Sequence, residues 1–400
     1  MSIDVPQGWQ AATLGKVLAR AEGGGTPPRD VEGYWNGDIP WASVKDIVKG
    51  NGSIPEETIT AAGLANSTSR VVAAGTNIFA ARMGVGAVTR YPIDVAINQD
   101  LMALTPTKGL DPDYLYHWLR SKKAAFAAVA TGTTVKGIRK DLLLSFLLPL
   151  PPLDEQRRIA EVLRSVDEAI AAKAALLDGV KAAKQGTMDT VLSGGFDEVR
   201  LETLLADTRY PMRSGPFGSA LLKSELQPEG IPFLGIDNVH VERFVPIFRR
   251  FVSEEKYREL ARYTVYPGDV MVTIMGTVGR CCVVPPGVGT AISSKHVWTL
   301  TLDEDRYSPA LLAWQINHSP PVLEQLQGSA QGGIMSAISS GTLRDLLVPL
   351  PSPAEVREIE AVLLSFNRQI AALEAERDQA NLLKAALSND LLSGHVRVPA

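Results

Sequence analysis

The sequence predicts an α+β protein. Two similar mixed α/β units are separated by two long antiparallel helices that form a coiled-coil-like spacer, with internal pseudo-two-fold duplication. Three observations carry this. A segment occurs twice in constant register, Leu147–Gly194 and Leu347–Gly394: Pro149 matches Pro349, Glu155 matches Glu355, Arg157 matches Arg357 and Ile170 matches Ile370. A repeat of this length fixes the architecture before any local detail does. Within each copy, apolar residues recur every three or four positions, which is a helical period close to that of coiled coils. The stretches before the two copies also give the same order of strand, turn and helix signals.

In chain order, residues 1–146 form the first unit. Gly, Pro, Asn and Asp mark a loop at GGGTPPRDVEGYWNGD. IPWASVKDIV reads as a short strand with a turn. Arg70–Val88 reads as two strands meeting near Gly84-Val85-Gly86, and Val95–Leu104 as one more strand. DPDYLYHWLRSKKAAFAAVA reads as a single amphipathic helix with Asp111 and Pro112 at its start, and Leu142–Leu150 as a strand-like apolar run.

Residues 147–195 form the first helical spacer. Prolines 149, 151 and 152 punctuate its start, and Asp154 and Glu155 suit the positive end of its dipole. Its apolar stripe runs through Ile159, Leu163, Val166, Ile170, Leu177 and Val180. About 40 residues at 1.5 Å each give a helix of roughly 60 Å. Lys173 and Lys184 interrupt the stripe, so the helix needs a partner surface, and the nearest is the other copy. The second unit spans 196–346, the second spacer 347–394, and 395–400 is a tail. IPFLGIDNV answers IPWASVKDI, and PGDVMVTIMGTVG answers AGTNIFAARMGVG. Gly75 is expected to correspond to Gly268 and Gly84 to Gly276.

Composition narrows the function. No run of apolar residues approaches a membrane span, and the N-terminal MSIDVPQGWQ lacks the charged and apolar regions of a signal peptide, so a cytoplasmic protein is expected. The two cysteines, Cys281 and Cys282, are adjacent, have no metal-ligand spacing and read as core residues. The net charge of −4 does not advertise a nucleic-acid binder, although a whole-chain balance can hide a basic face. No phosphate-cradling loop, complete dinucleotide fingerprint, HExxH or methyltransferase N-P-P-aromatic stretch occurs, so no catalytic constellation is expected.

What differs between the two units is the polar set on loops between shared framework positions. In the first unit these are Lys45, Arg82, Asn98, Gln99, Thr133, Thr134 and Lys136. In the second they are Asp237, Asn238, His240, Arg280, Ser294, Lys295, His296, Gln331 and Ser336. Asn or Gln can pair bidentately with adenine and Arg or Lys with guanine, so these are the candidates for DNA contact.

The repeated P-L-P-P-L-D-E-Q-R-R-I segment on a long helix after each of two variable units resembles the conserved region of type I restriction-modification specificity subunits. The IPW…KDI, INQ and GTTVKGI segments are similar to elements of that family's target recognition domains. The second copy departs from the pattern, with Ser352-Pro353-Ala354-Glu355-Val356 where the first has Pro152-Leu153-Asp154-Glu155-Gln156. The resemblance implies a non-catalytic adaptor. Each recognition domain would read one half of a bipartite double-stranded DNA target. The helices would pack antiparallel, which relates the two units by a pseudo-two-fold axis, set the spacer and dock two modification (methyltransferase) subunits, through Glu155, Gln156, Arg157, Glu355 and Arg357, and restriction subunits would join. The chain would hold no cofactor itself, S-adenosylmethionine being expected on the modification subunit. The competing expectations are a two-headed scaffold that binds proteins rather than DNA, and a chain that itself modifies nucleic acid.

Overall fold

A computed structural model describes residues 4–48, 54–132, 135–192, 195–328 and 338–398. The chain divides into two compact units, one of residues 1–174 with 375–400 and the other of residues 175–374. The two long helices are Leu153–Leu192 and Pro353–Ser393. Each contributes one half to each unit, so the compact units divide the helices at 174/175 and 374/375 rather than at the junctions where the sequence changes character.

The first unit holds two four-stranded sheets. One has the order Leu18–Gly23, Leu101–Pro106, Asn77–Ala80, Val88–Thr89. The other has the order Glu57–Ile59, Trp35–Ala42, Val95–Ile97, Arg70–Val72. All neighbours run antiparallel except Trp35–Ala42 with Val95–Ile97. A two-stranded ribbon of Gln10–Thr13 and Leu147–Leu150 leads into the first long helix. The core is closed by Phe79, Leu104, Tyr114, Trp118 and Phe126 together with Ile159, Leu163, Leu391 and Leu392 from the long helices.

The second unit repeats this topology. Its sheets run Met212–Ser214, Val297–Leu300, Val270–Thr273, Cys281–Val283 and Phe251–Val252, Ile231–Leu234, Ala291–Ser293, Thr264–Val265. Its ribbon joins Glu198–Arg200 to Leu347–Pro349. The adjacent Cys281 and Cys282 are free and buried in it.

The two lysines that break the apolar stripe both find partners, as do Lys181 and Lys384. In the first unit Lys173 Nζ meets Glu376 at 2.5 Å, and Lys384 pairs with Asp167. In the second, Lys181 meets Glu374 at 2.9 Å, and Lys184 meets Asn367 at 2.8 Å and also Glu242. As one helix ascends the other descends, so within each unit the halves run antiparallel, as expected.

Three expectations need correction. Val95–Leu104 is two strands in different sheets, because Asn98 bends the chain between them. Its Oδ1 accepts from the Asp100 amide at 3.0 Å, and its Nδ2 donates to the Asp100 carboxylate at 3.1 Å. The helix from Asp111 breaks into Pro112–Ser121 and Lys123–Ala128. The first part of the apolar run, Leu142–Ser145, belongs to the helix Lys140–Ser145, with the strand only at Leu147–Leu150.

Candidate nucleic-acid interface

In the first unit four loops converge on one edge, held there by backbone hydrogen bonds. The Asn98 amide donates to Ala42 O, tying the Asn98–Asp100 turn to the end of Trp35–Ala42. The Ala81 amide donates to Asp100 O, the Met83 amide to Lys136 O and the Ile138 amide to Ala81 O. Between these loops lies a cleft of about 890 Å³ lined by Arg82, Met83, Gln99, Val135, Arg139 and Lys140, among others. Arg82 is exposed, with Nη1 3.8 Å from the Asp100 carboxylate, which orients the guanidinium without covering it. Gln99 is exposed at the turn, its Oε1 accepting from Thr26 Oγ1 at 2.5 Å. Lys45 projects from the helix Val44–Val48, whose start is fastened by Asp46 accepting from the Ser43 amide at 2.8 Å.

The same hydrogen bonds recur in the second unit. The Ser294 amide donates to Leu234 O, the Ile274 amide to His296 O and the Gly235 amide to Asn238 Oδ1. These match positions one to one: Asn98 with Ser294, Gln99 with Lys295, Asp100 with His296, Lys45 with Asp237 and Asp46 with Asn238. Gly75 and Gly268, at φ 76° and 89°, correspond as expected. The expected match of Gly84 with Gly276 is one residue out. Gly276 (φ 74°) superposes in role on Met83 (φ 59°), and Gly279 (φ 85°) on Gly86 (φ 86°). A common frame therefore presents Arg82, Gln99 and Lys45 in one unit and Met275, Lys295 and Asp237 in the other. Asp237 is paired with Arg250. Burial, helped by Lys295 and Arg250, pushes the His296 imidazole below its usual value, so it meets its surroundings neutral at neutral pH.

Several candidates have other roles. Asn98 and Asn238 are buried turn builders: Asn238 Nδ2 donates to Val245 O and Ile247 O at 3.0 and 3.1 Å, so neither side chain is available to a base. Ser294 is buried at the matching turn. His240 and Arg280 line a separate cleft of about 830 Å³, between a hairpin (Val239–His240 with Arg243–Phe244) and the long helices, that Lys295 and His296 do not reach. Thr133, Thr134, Gln331 and Ser336 lie outside the described residues. Lys136 is exposed, and its carbonyl anchors Met83.

The expected docking residues are unequal. Arg157 and Arg357 are exposed. Glu155 is buried, accepting from Trp9 Nε1 at 3.0 Å and from Arg397 Nε and Nη2 at 2.6 and 2.8 Å. Gln156 is buried too. Its Oε1 accepts from the Asp111 amide at 2.8 Å and its Nε2 donates to Pro151 O at 2.8 Å. Both therefore hold the first unit together and present nothing to a partner. Glu355 is exposed and accepts from the Ser352 amide at 2.8 Å, capping its own helix.

Sequence reading missed the charged joints between each sheet domain and its helices. Asp167 receives Lys384 and, at 3.1 Å, Arg120, with His117 Nδ1 3.9 Å away. At the matching helix position stands Asn367, and the carboxylate comes instead from Glu242, which binds Lys184 and, at 2.8 Å, His318. Burial raises the cost of the Glu242 charge, yet the His318 and Lys184 hydrogen bonds hold its carboxyl below the ordinary range. The signal was present in the sequence: Lys184 and Lys384, like Asp167 and Asn367, occupy matching repeat positions.

His117 supplies a test. Burial lowers its pKa to about 4, against the pull of Asp167. Its neutral form therefore contributes stability that is full above 6.5, the ordinary value, and is lost as pH falls toward 4 because the unfolded chain takes the proton first. Between pH 6.5 and 5.5 the loss is about 1 kcal/mol. Urea unfolding of the first unit should weaken less over this interval in His117→Gln than in the wild type. Equal slopes would remove His117 from the account.

Against this geometry, residues 6–182 match the type I restriction modification DNA specificity domain. The specificity subunit of the type I restriction enzyme EcoR124I/EcoR124II of Escherichia coli is 32% identical over 164 residues, 39% of this chain and 40% of that protein. That of MjaVIII from Methanocaldococcus jannaschii is 22% identical over 308 residues, 73% of this chain and 72% of that one. The matched segment thus spans about two fifths of the Escherichia coli relative. Two solved structures share the fold along nearly the whole chain. One is the S subunit of a type I restriction-modification system from M. genitalium, with TM-score 0.61, 14% identity and 98% of both chains covered. The other comes from work on complex assembly and conformational transition of the type I R-M system, with TM-score 0.62, 19% identity, 99% of this chain and 100% of that one. The match to that domain takes in both sheets of the first unit and most of the first long helix. The chain as a whole has the fold of that family's S subunits. Among the described residues no helix is long and apolar enough to cross a membrane, and no group of His, Cys, Asp and Glu could hold a metal.

Proposed function

We propose that this chain is the DNA sequence-specificity subunit of a type I restriction-modification complex. Each unit reads one half of a bipartite target, and the paired helices fix the unread gap. The observation that carries this reading is the repeated edge: one backbone frame, two different sets of exposed side chains, as two readers of two half-sites require. The chain acts as an adaptor without chemistry of its own. Two modification subunits dock on the helices, where Arg157 and Arg357 are exposed, and carry S-adenosylmethionine. Restriction subunits complete the assembly. Much of the positive charge for phosphate neutralisation comes from those partners, consistent with the acidic balance of this chain.

The test is a map of modified bases. The chain is expressed with its modification subunit in a host lacking adenine methylation, and N6-methyladenine is located across the genome. A bipartite motif with a constant gap is expected, and exchange of residues 1–146 should alter one half only. A complex that assembles yet methylates nothing would favour a protein-binding scaffold.

A further inference from the structure

Met83 is held in a turn that suits glycine. Its φ is 59°, and the Gly84 amide donates to Arg82 O at 2.6 Å, so the three residues close a γ-turn of the strained hand. The second unit makes the same turn, Thr277 amide to Met275 O at 2.8 Å, with Gly276 at its centre. A side chain in this conformation costs free energy that glycine avoids. Met83 recovers nothing by burial, since it is 62% exposed. Its amide is nonetheless pinned to Lys136 O at 3.1 Å, so the turn is rigidly placed on the rim of the cleft, beside Arg82 and facing the loop of Gln99. An exposed, flexible, apolar side chain kept at a strained position among polar readers has its use outside the folded chain.

We infer that Met83 is a specificity-determining residue of the first unit and contacts the C5-methyl group of a thymine in the major groove. The inference rests on the reading of this edge as a DNA interface. The chemistry fits: thymine is the base whose major-groove edge offers an apolar group beside an acceptor, and the flanking Arg82 and Gln99 serve polar edges. The second unit, with glycine at this place, makes no such contact.

The experiment uses the full chain with its modification subunits and a duplex carrying the mapped target. Thymines in the half read by residues 1–146 are replaced one at a time by deoxyuridine, which lacks only the methyl group. Met83→Gly, relaxed in this conformation, should keep or raise the Tm while weakening binding about fivefold. Met83→Leu should bind within about twofold of wild type. One deoxyuridine position should weaken the wild type by a similar factor and leave Met83→Gly unaffected. Wild-type binding by Met83→Gly, equal sensitivity of both proteins to every deoxyuridine, or a half-site without thymine would overturn the inference while sequence-specific binding that depends on Arg82 stands. Loss of any sequence preference in the wild-type complex, with Arg82→Ala also silent, would overturn the DNA reading itself.

Discussion

Arg213→Met destabilises the second unit by about 3–5 kcal/mol, the cost of breaking a buried ion pair from one side. Arg213 and Asp269 have side chains 5% and 1% exposed. The guanidinium binds the Asp269 carboxylate and donates to Thr264 O at 2.6 Å, Tyr210 O at 3.1 Å and Thr301 Oγ1 at 2.8 Å. Thr301 Oγ1 and the Tyr266 amide each donate to Asp269 at 2.6 Å. Methionine fills part of the space but leaves a buried carboxylate without its counter-charge. Burial already raises the Asp269 pKa despite Arg213, so the pair is sustained by complete hydrogen bonding rather than by a surplus of attraction. The double variant Arg213→Met, Asp269→Leu should therefore recover much of the loss. Urea unfolding of the single and double variants measures this. A single variant as stable as the wild type would show that water replaces the guanidinium. The pair matters for the candidate interface because Arg213 lies in the strand that leads to Gly215, whose amide donates to Ser294 O at the turn that carries Lys295.

In the first unit Glu22 stands at the place of Arg213 and Thr76 at that of Asp269, and Glu22 pairs instead with Arg70 at 2.8 Å, with side chains 33% and 53% exposed, a pair whose removal should change little. This contrast shows where sequence reading stops. The repeat made the architecture legible: constant register at Pro149 and Pro349 corresponds to a real joint, since Tyr114 Oη and Tyr307 Oη donate to those two carbonyls at 2.8 and 2.7 Å. The two tyrosines come from different places in their units, one inside a helix and one just before it, so alignment alone does not pair them. The exposure of Arg82, Gln99 and Lys295 was also legible, because polar residues at turn signals tend to face solvent. Asn98 and Asn238 were misread for the same reason: a turn asparagine spends its amide on the backbone, and only geometry separates it from its exposed neighbour. Loops can have identical composition whether they face DNA or, as with His240 and Arg280, the protein's own helices. The offset between Met83 and Gly276 is a conformational equivalence, which residue identity actively hides.

Glu155 and Glu355 are the same letter of the repeat, and replacing them should give unequal results. Glu155→Ala should cost about 3 kcal/mol, whereas Glu355→Ala should change little. The first change strands the indole N–H of Trp9, which is 6% exposed, and releases Arg397 from a two-pronged contact. Arg397 keeps 43% of its side chain exposed and can turn to water, which sets the estimate at the low end for a broken buried pair. The second change removes only a cap. The reason for the difference lies in the contacts: Arg397, which also donates to Gln7 O at 3.1 Å, ties the segment after the second long helix to the segment before the strand Gln10–Thr13. The Arg397 hydrogen bond, with that of Trp9, holds the Glu155 carboxyl below its ordinary pKa. Its contribution is present above that ordinary value and is lost as pH falls through the lowered one, so the wild type's advantage over Glu155→Ala should narrow over this acid range. Amide exchange at Gln10–Thr13 and at Leu391–Leu392 reads the clamp directly: both should exchange faster in Glu155→Ala and keep their protection in Glu355→Ala. Equal effects of the two substitutions would mean that the terminal clamp contributes no more than a helix cap.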